Sequence, residues 1–118
     1  MIALATIARL CADELFPKRG LIKKMLEKGS IIVKDNAIKV LAGIASAKEE
    51  YRAEILPILF AHLARCRVKD VPQHAESTLI AIFDEDRDQF IALLERRMEE
   101  MSDSQARRLR KLLKGLIE

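Results

Sequence analysis

The stretch Val33-Lys34-Asp35-Asn36-Ala37-Ile38-Lys39-Val40-Leu41-Ala42-Gly43-Ile44 decides the fold, because its pattern returns 38 residues later in Val71-Pro72-Gln73-His74-Ala75-Glu76-Ser77-Thr78-Leu79-Ile80-Ala81-Ile82. In each copy an Ala is followed four residues on by Leu and three further on by Ile, as in Ala37, Leu41 and Ile44. Residues so spaced share one face of a helix, and the small Ala lets a neighbouring helix approach closely. The same spacing stands 34 residues upstream at Ala3, Ile7 and Leu10, and a weaker echo, Leu109 and Leu112, stands 30 residues beyond Leu79 and Ile82. A helix recurring at such a period is the signature of stacked helical units.

Outward from these helices, breaks recur at Asp13 to Pro17, Gly29-Ser30, Ser46-Ala47, Val68 to Pro72, Asp84 to Asp86 and Ser102 to Ser104. They predict seven helices near 2–12, 17–28, 31–45, 48–67, 71–83, 86–101 and 103–117. Pro17 and Pro72 suit first turns, Gly29 suits a left-handed helix end, and Ser102 or Ser104 suits a cap. Pro57 should bend the fourth helix without breaking it. Connections this short make neighbouring helices antiparallel. The helices between the repeated ones carry their own apolar sets: Leu21, Ile22, Met25 and Leu26; Ile55, Leu56, Leu59 and Leu63; Phe90, Leu93, Leu94 and Met98.

The composition agrees. With 50% hydrophobic and 33% charged residues the chain has the balance of a folded protein, and with 4% aromatics and no Trp its core must be built from aliphatic side chains. No Asn-Gly or Asp-Gly hairpin signal is present. The net charge of +3 is unevenly spread, basic over 17–28, acidic over 84–103 and basic again in the last helix. No run approaches the ~18 apolar residues of a membrane span, and the apolar N-terminus lacks the basic start of a signal peptide. Cys11 and Cys66 read as reduced core residues, and a cytoplasmic location is expected.

Ile55-Leu56-Pro57-Ile58-Leu59, followed by a helix opening with Val and Ala, resembles the HEAT repeat, whose first helix commonly carries a Leu-Leu-Pro-Leu-Leu-like core. Val33-Lys34-Asp35-Asn36-Ala37 is similar to that family's Val-Arg-x-x-Ala opening of the second helix. The resemblance covers nearly the whole chain and implies an all-α fold, a right-handed alpha-alpha superhelix of about three and a half helix pairs, with residues 1–118 forming one armadillo-like solenoid domain. Pro72 replaces the expected basic residue, and Ser102-Asp103 stands where Val-Arg would, so the last repeat is degenerate, as a capping repeat with a polar outer face is. The N-terminal helix is apolar nearly all round, from Ile2 to Cys11. Such a helix is expected to be covered by the rest of a longer solenoid or by another molecule, a second copy included, unless it folds back on its own chain.

The chain carries no phosphate loop, dinucleotide fingerprint, His-Glu-x-x-His pair or Gly-x-Ser-x-Gly elbow, and it is read as non-catalytic and without a cofactor. His62 and Cys66 share a helix face and offer two zinc ligands, but a closed site needs four. Nothing in the spacing brings His74 or Cys11 to them, so no metal site is expected. Asp84, Glu85, Asp86 and Asp88 open a helix, where acidic side chains meet the positive end of its dipole. A protein-interaction scaffold is the expected function, with Lys34, Asn36, Lys39, His74 and Thr78 on the second helices as contact residues. The alternative is nucleic-acid-backbone binding through Arg107, Arg108, Arg110, Lys111 and Lys114, although the helix near 71–83 interrupts any continuous cationic track.

Overall fold

Eight α-helical segments form among the described residues: α1 (Ile2–Leu10), α2 (Ala12–Leu15), α3 (Arg19–Lys28), α4 (Ile31–Ala47), α5 (Glu49–Arg65), α6 (Val71–Thr78), α7 (Arg87–Met98) and α8 (Asp103–Ile117). The seven of eight residues or longer answer to the seven predicted, while the short α2 lies at the break expected from Asp13 to Pro17. The structure is a computed structural model that describes the backbone of residues 2–117 and the side chains of residues 4–116. Short 3-10 turns at Phe16–Lys18, Val68–Asp70, Leu79–Ala81 and Asp84–Asp86 join the helices, and no strand occurs among the described residues. No helix among them is long and apolar enough to cross a membrane.

The caps are mostly those the side chains allow. Ser30 caps α4 by accepting a hydrogen bond from the Val33 N–H. Ser102 and Gln105 cap α8 reciprocally, each side chain accepting from the other's backbone N–H, the arrangement of a capping box. Gly29 departs from expectation: its backbone is extended, with φ −75°, and not left-handed. A glycine is needed there for space, since a Cβ would lie 2.5 Å from Val33 Cγ1 and 2.6 Å from the Met25 carbonyl oxygen. α5 runs through Pro57 unbroken. The helix expected over 71–83 gives way to a 3-10 turn after Thr78, whose hydroxyl donates to the His74 carbonyl four residues back, a bond that loosens the helical ladder.

α4 is the centre of the packing and touches α1, α2, α3, α5 and α6. Contacts also run α6 to α8, α5 to α6, α5 to α7 and α7 to α8, so the repeated helices α1, α4, α6 and α8 touch in chain order. Two cores result. The first gathers Ala8, Ala12, Ile22, Leu26, Ile38, Leu41, Ile44, Ile55 and Leu59 around α4; the second gathers Leu63, Val71, Ala75, Phe90, Leu94, Leu109 and Leu113. Phe60 and Ile82 pack against both and make them continuous. Full burial of each large aliphatic contributes roughly 1.5–3 kcal/mol over leaving it exposed.

The equivalence of α4 and α6 holds at their shared Ala, Ala37 and Ala75 both being buried, but its extension to α1 fails. Ile7 and Leu10 face outward, 56% and 79% exposed, and Ala3 lies outside the described side chains. α1 turns Ala5 and Ala8 toward α4 instead. The reason is the depth of the contact: a Cβ on Gly43 would run into the Ala5 carbonyl oxygen and lie 2.8 Å from the Ala8 Cβ, so only a face of methyl groups fits against α4 at Gly43. Cys11, read as a core residue, is exposed.

Candidate functional site

A cavity of about 620 Å³ opens where two helix-to-helix turns face each other. One wall is the α3–α4 turn with Gly29, Ser30, Ile31 and Lys34; the other is the end of α5 and the start of α6, with His62, Arg65, Cys66, Arg67, Asp70 and His74. Local backbone chemistry makes the second wall. α5 ends where Cys66 becomes extended, its N–H still bonded to the His62 carbonyl, and a single 3-10 turn at Val68–Asp70 returns the chain into α6. That reversal lays the first turn of α6 against the last turn of α5, and it corrects the expectation that His74 does not meet His62 and Cys66. One ligating atom from each of the three lies within 4.8 Å of the other two. Cys11 takes no part. The missing signal was the tightness of the turn between residues 66 and 71, which residue spacing does not express.

His62 Nε2 and His74 Nδ1 are 2.9 Å apart, a hydrogen bond in which one imidazole donates and the other accepts. That bond requires the facing nitrogens to share one proton, and the surroundings favour neutral rings. Burial, followed by the charges of His74, Lys34 and Arg65, pushes His62 down to about 4. Burial also lowers His74, against the pull of Asp70 and Asp35. The Cys66 thiol is pushed up to about 11, chiefly by burial. The thiol is therefore protonated at neutral pH and is no free nucleophile.

The surrounding supports are polar and fixed. The Arg97 guanidinium donates to the Ala64 and Cys66 carbonyls, both at 2.6 Å, and so closes the C-terminal end of α5. Its Nε has no hydrogen-bond partner and lies 3.4 Å from a Glu100 carboxylate oxygen, an ion-pair distance only. At the rim Arg67 pairs with Asp70 at 2.9 Å.

Of the residues expected to meet a partner, Lys34 is on the cavity wall and Asn36 is exposed. Lys39 is held by Asp35 at 2.9 Å, and the other oxygen of that carboxylate accepts from Ser77. His74 and Thr78 are not surface residues: they are 3% and 1% exposed, and the Thr78 hydroxyl is bonded within its own helix. On α8, Arg107, Arg108, Arg110, Lys111 and Lys114 are all exposed. Arg108 makes a two-pronged pair with Glu76, and the other four form no ion pair among the described residues.

Three of the four carboxylates of the acidic run make ion pairs. Asp86 accepts from the Phe83 N–H, Arg87 pairs with Asp84, and the buried Arg52 pairs with Glu85 and Asp86 while its guanidinium stacks 4.0 Å above the Phe83 ring. Glu85 and Asp86 thus tie α5 to the 3-10 turn that leads into α7. The chain matches no protein-family model, no curated protein and no solved structure.

Proposed function

We propose that the chain is a HEAT-like, non-catalytic scaffold that binds a protein partner across the surface of its first helices and the adjoining cavity mouth. One observation carries this reading. Ile7, Leu10, Leu21, Met25, Ile31, Ile32 and Val33 remain 40–79% exposed, whereas the later helices leave only Ile80 and Phe83 so among the described residues. Five of these, Leu21, Met25, Ile31, Ile32 and Val33, lie on α3 and the first turn of α4, which meet at Gly29 and Ser30, and apolar surface gathered in this way marks an interaction site. Ile31 belongs both to this surface and to the cavity wall, beside Lys34, so an apolar segment lying across α3 and α4 would reach the polar cavity. The chain-order contacts of α1, α4, α6 and α8 support the helical-repeat reading.

A photo-crosslinking residue at position 32, with position 95 on the exposed face of α7 as control, tests the proposal. Discrete protein adducts from position 32 and none from position 95 are expected in the source cells. Equal labelling from both, or none from either, would remove the reason to assign the partner surface to α3 and α4.

The second reading, nucleic-acid-backbone binding, is favoured by the four exposed cations of α8 that form no ion pair among the described residues. A phosphate contact of this kind weakens steeply with salt. Anisotropy of a labelled duplex at two salt concentrations, with Arg107, Arg110 and Lys114 changed to Glu, separates the two. The scaffold reading expects no duplex binding at low salt.

A further inference from the structure

The convergence of His62, Cys66 and His74 asks for a reason, since two histidines and a cysteine from two helices fill one small volume at the base of a polar cavity. We propose that these three side chains bind one Zn²⁺ ion, with the fourth coordination position open to the cavity.

The donor set fits this ion. Imidazole and thiolate are the ligands of zinc, and three protein ligands with a water in the fourth place make the open type of zinc site. A trigonal His₂Cys copper centre would want a weak axial thioether, and no Met lines the cavity. The imidazole separation is close to that required, and the Cys66 sulfur lies within 4.8 Å of a ring nitrogen of each histidine. Tetrahedral zinc with Zn–N of ~2.05 Å separates two ligating nitrogens by about 3.3 Å, so the 2.9 Å imidazole pair must open by only a few tenths of an ångström to admit the ion. In the absence of metal the hydrogen bond between the two rings occupies the same nitrogens, which keeps them mutually aimed and satisfied.

The protons can be followed. One facing nitrogen already presents a lone pair, and the other ring moves its N–H to its far nitrogen, a tautomer change that releases nothing. The Cys66 thiol loses its proton to solvent as the Zn–S bond forms, so each zinc bound at neutral pH releases one proton. Charge opposes and assists in turn. Lys34, Arg65 and Arg67 line the cavity and disfavour a cation, while the thiolate and the nearby Asp70 carboxylate offset its charge. Arg97, by bonding the Cys66 carbonyl, holds the backbone that carries the sulfur.

Titration of the tag-free, reduced protein with Co²⁺ as a spectroscopic stand-in, followed by Zn²⁺ competition, tests the site. The expected result is one Co²⁺ per chain, with a thiolate-to-cobalt charge-transfer band and the visible bands of a tetrahedral ion, both removed by one equivalent of Zn²⁺. Cys66→Ser should abolish the charge-transfer band. Both Cys66→Ser and His62→Gln should weaken Zn²⁺ binding by more than the ~10–100-fold that loss of an outer-shell partner costs. Cys11→Ser should change nothing, because Cys11 is exposed and remote from the cluster. Circular dichroism confirms that the variants keep their helices; should Cys66→Ser not fold, the Cys11→Ser and His62→Gln proteins decide the matter. Absence of a thiolate band, or a band that survives in Cys66→Ser but vanishes in Cys11→Ser, would overturn the proposal. Zinc-dependent elevation of the unfolding temperature in the wild type and not in His62→Gln gives a second readout. None of these measurements involves the α3–α4 surface, so the site and the partner surface stand or fall separately.

Discussion

The first and last long helices, α1 and α8, meet the rest of the chain in opposite ways. α8 buries Ala106, Leu109 and Leu113 against α6 and α7, and turns Arg107, Arg110, Lys111 and Lys114 to solvent. α1 buries only Ala5 and Ala8 among its described side chains and leaves Ile7 and Leu10 in water. The first helix is thus held by proximity and the last by side-chain volume. A face of alanines permits a deep approach but removes little apolar area, at roughly 0.8 kcal/mol per buried CH₂. The apolar side chains of α1 that would add area, Ile7 and Leu10, stay 56% and 79% exposed.

This contrast is broken most directly at α8. Leu109 is fully buried in the second core, so Leu109→Ala should cost ~2–5 kcal/mol of unfolding free energy, measured by denaturant titration with circular dichroism. A loss below about 1 kcal/mol would mean that α8 is not held by volume. The next largest effect is at α1. In Gly43→Ala the added methyl meets the Ala5 backbone carbonyl and cannot be relieved by a rotamer change. The helix-propensity gain of ~1 kcal/mol is outweighed by overpacking, and a net loss of ~1–3 kcal/mol is expected. Gly115→Ala in α8 sharpens the comparison, because a Cβ there meets nothing within 4 Å. That substitution should stabilise by at most ~0.5–1 kcal/mol. Opposite signs for the two glycines in the same assay support proximity packing at α1; equal signs would refute it.

What the sequence displayed was local. The seven long helices follow from breaks at residues such as Gly29-Ser30 and Ser102 to Ser104, and α8 begins at Asp103, within a residue of its caps. The Ala spacing that marks α4 and α6 also survives, since Ala37 and Ala75 are both buried. The rotation of α1 was not legible, because Ile2 to Cys11 is apolar at so many positions that two registers, Ala3-Ile7-Leu10 and Ala5-Ala8-Ala12, fit equally. Only the partner surface, set by Gly43, chooses between them. The cavity was half legible. His62 and Cys66 are four residues apart on one helix, but His74 joins them through a chain reversal whose tightness depends on Cys66 becoming extended. Thr78 and His74 were expected at the surface because their polarity was read without the depth of α6, which packs against α4, α5, α7 and α8.

The smallest effect separates surface charge from packing on α8 itself. Arg108 reaches across to Glu76 on α6 with two hydrogen bonds of 2.8 and 2.9 Å, which makes it the one cation of the basic set tied to another helix among the described residues. The geometry is good, but both side chains are about half exposed, so water screens the attraction and each loses rotamer freedom in making it. Arg108→Ala should therefore cost only ~0.2–1 kcal/mol, several-fold less than Leu109→Ala one residue further along the same helix. A double-mutant cycle with Glu76→Ala isolates the pair, and the coupling should shrink as ionic strength rises and the Debye length contracts. A coupling above about 2 kcal/mol that persists in high salt would exceed what an exposed pair supplies, and would make the α6–α8 contact electrostatic where the burial of Leu109 and Leu113 makes it a matter of packing.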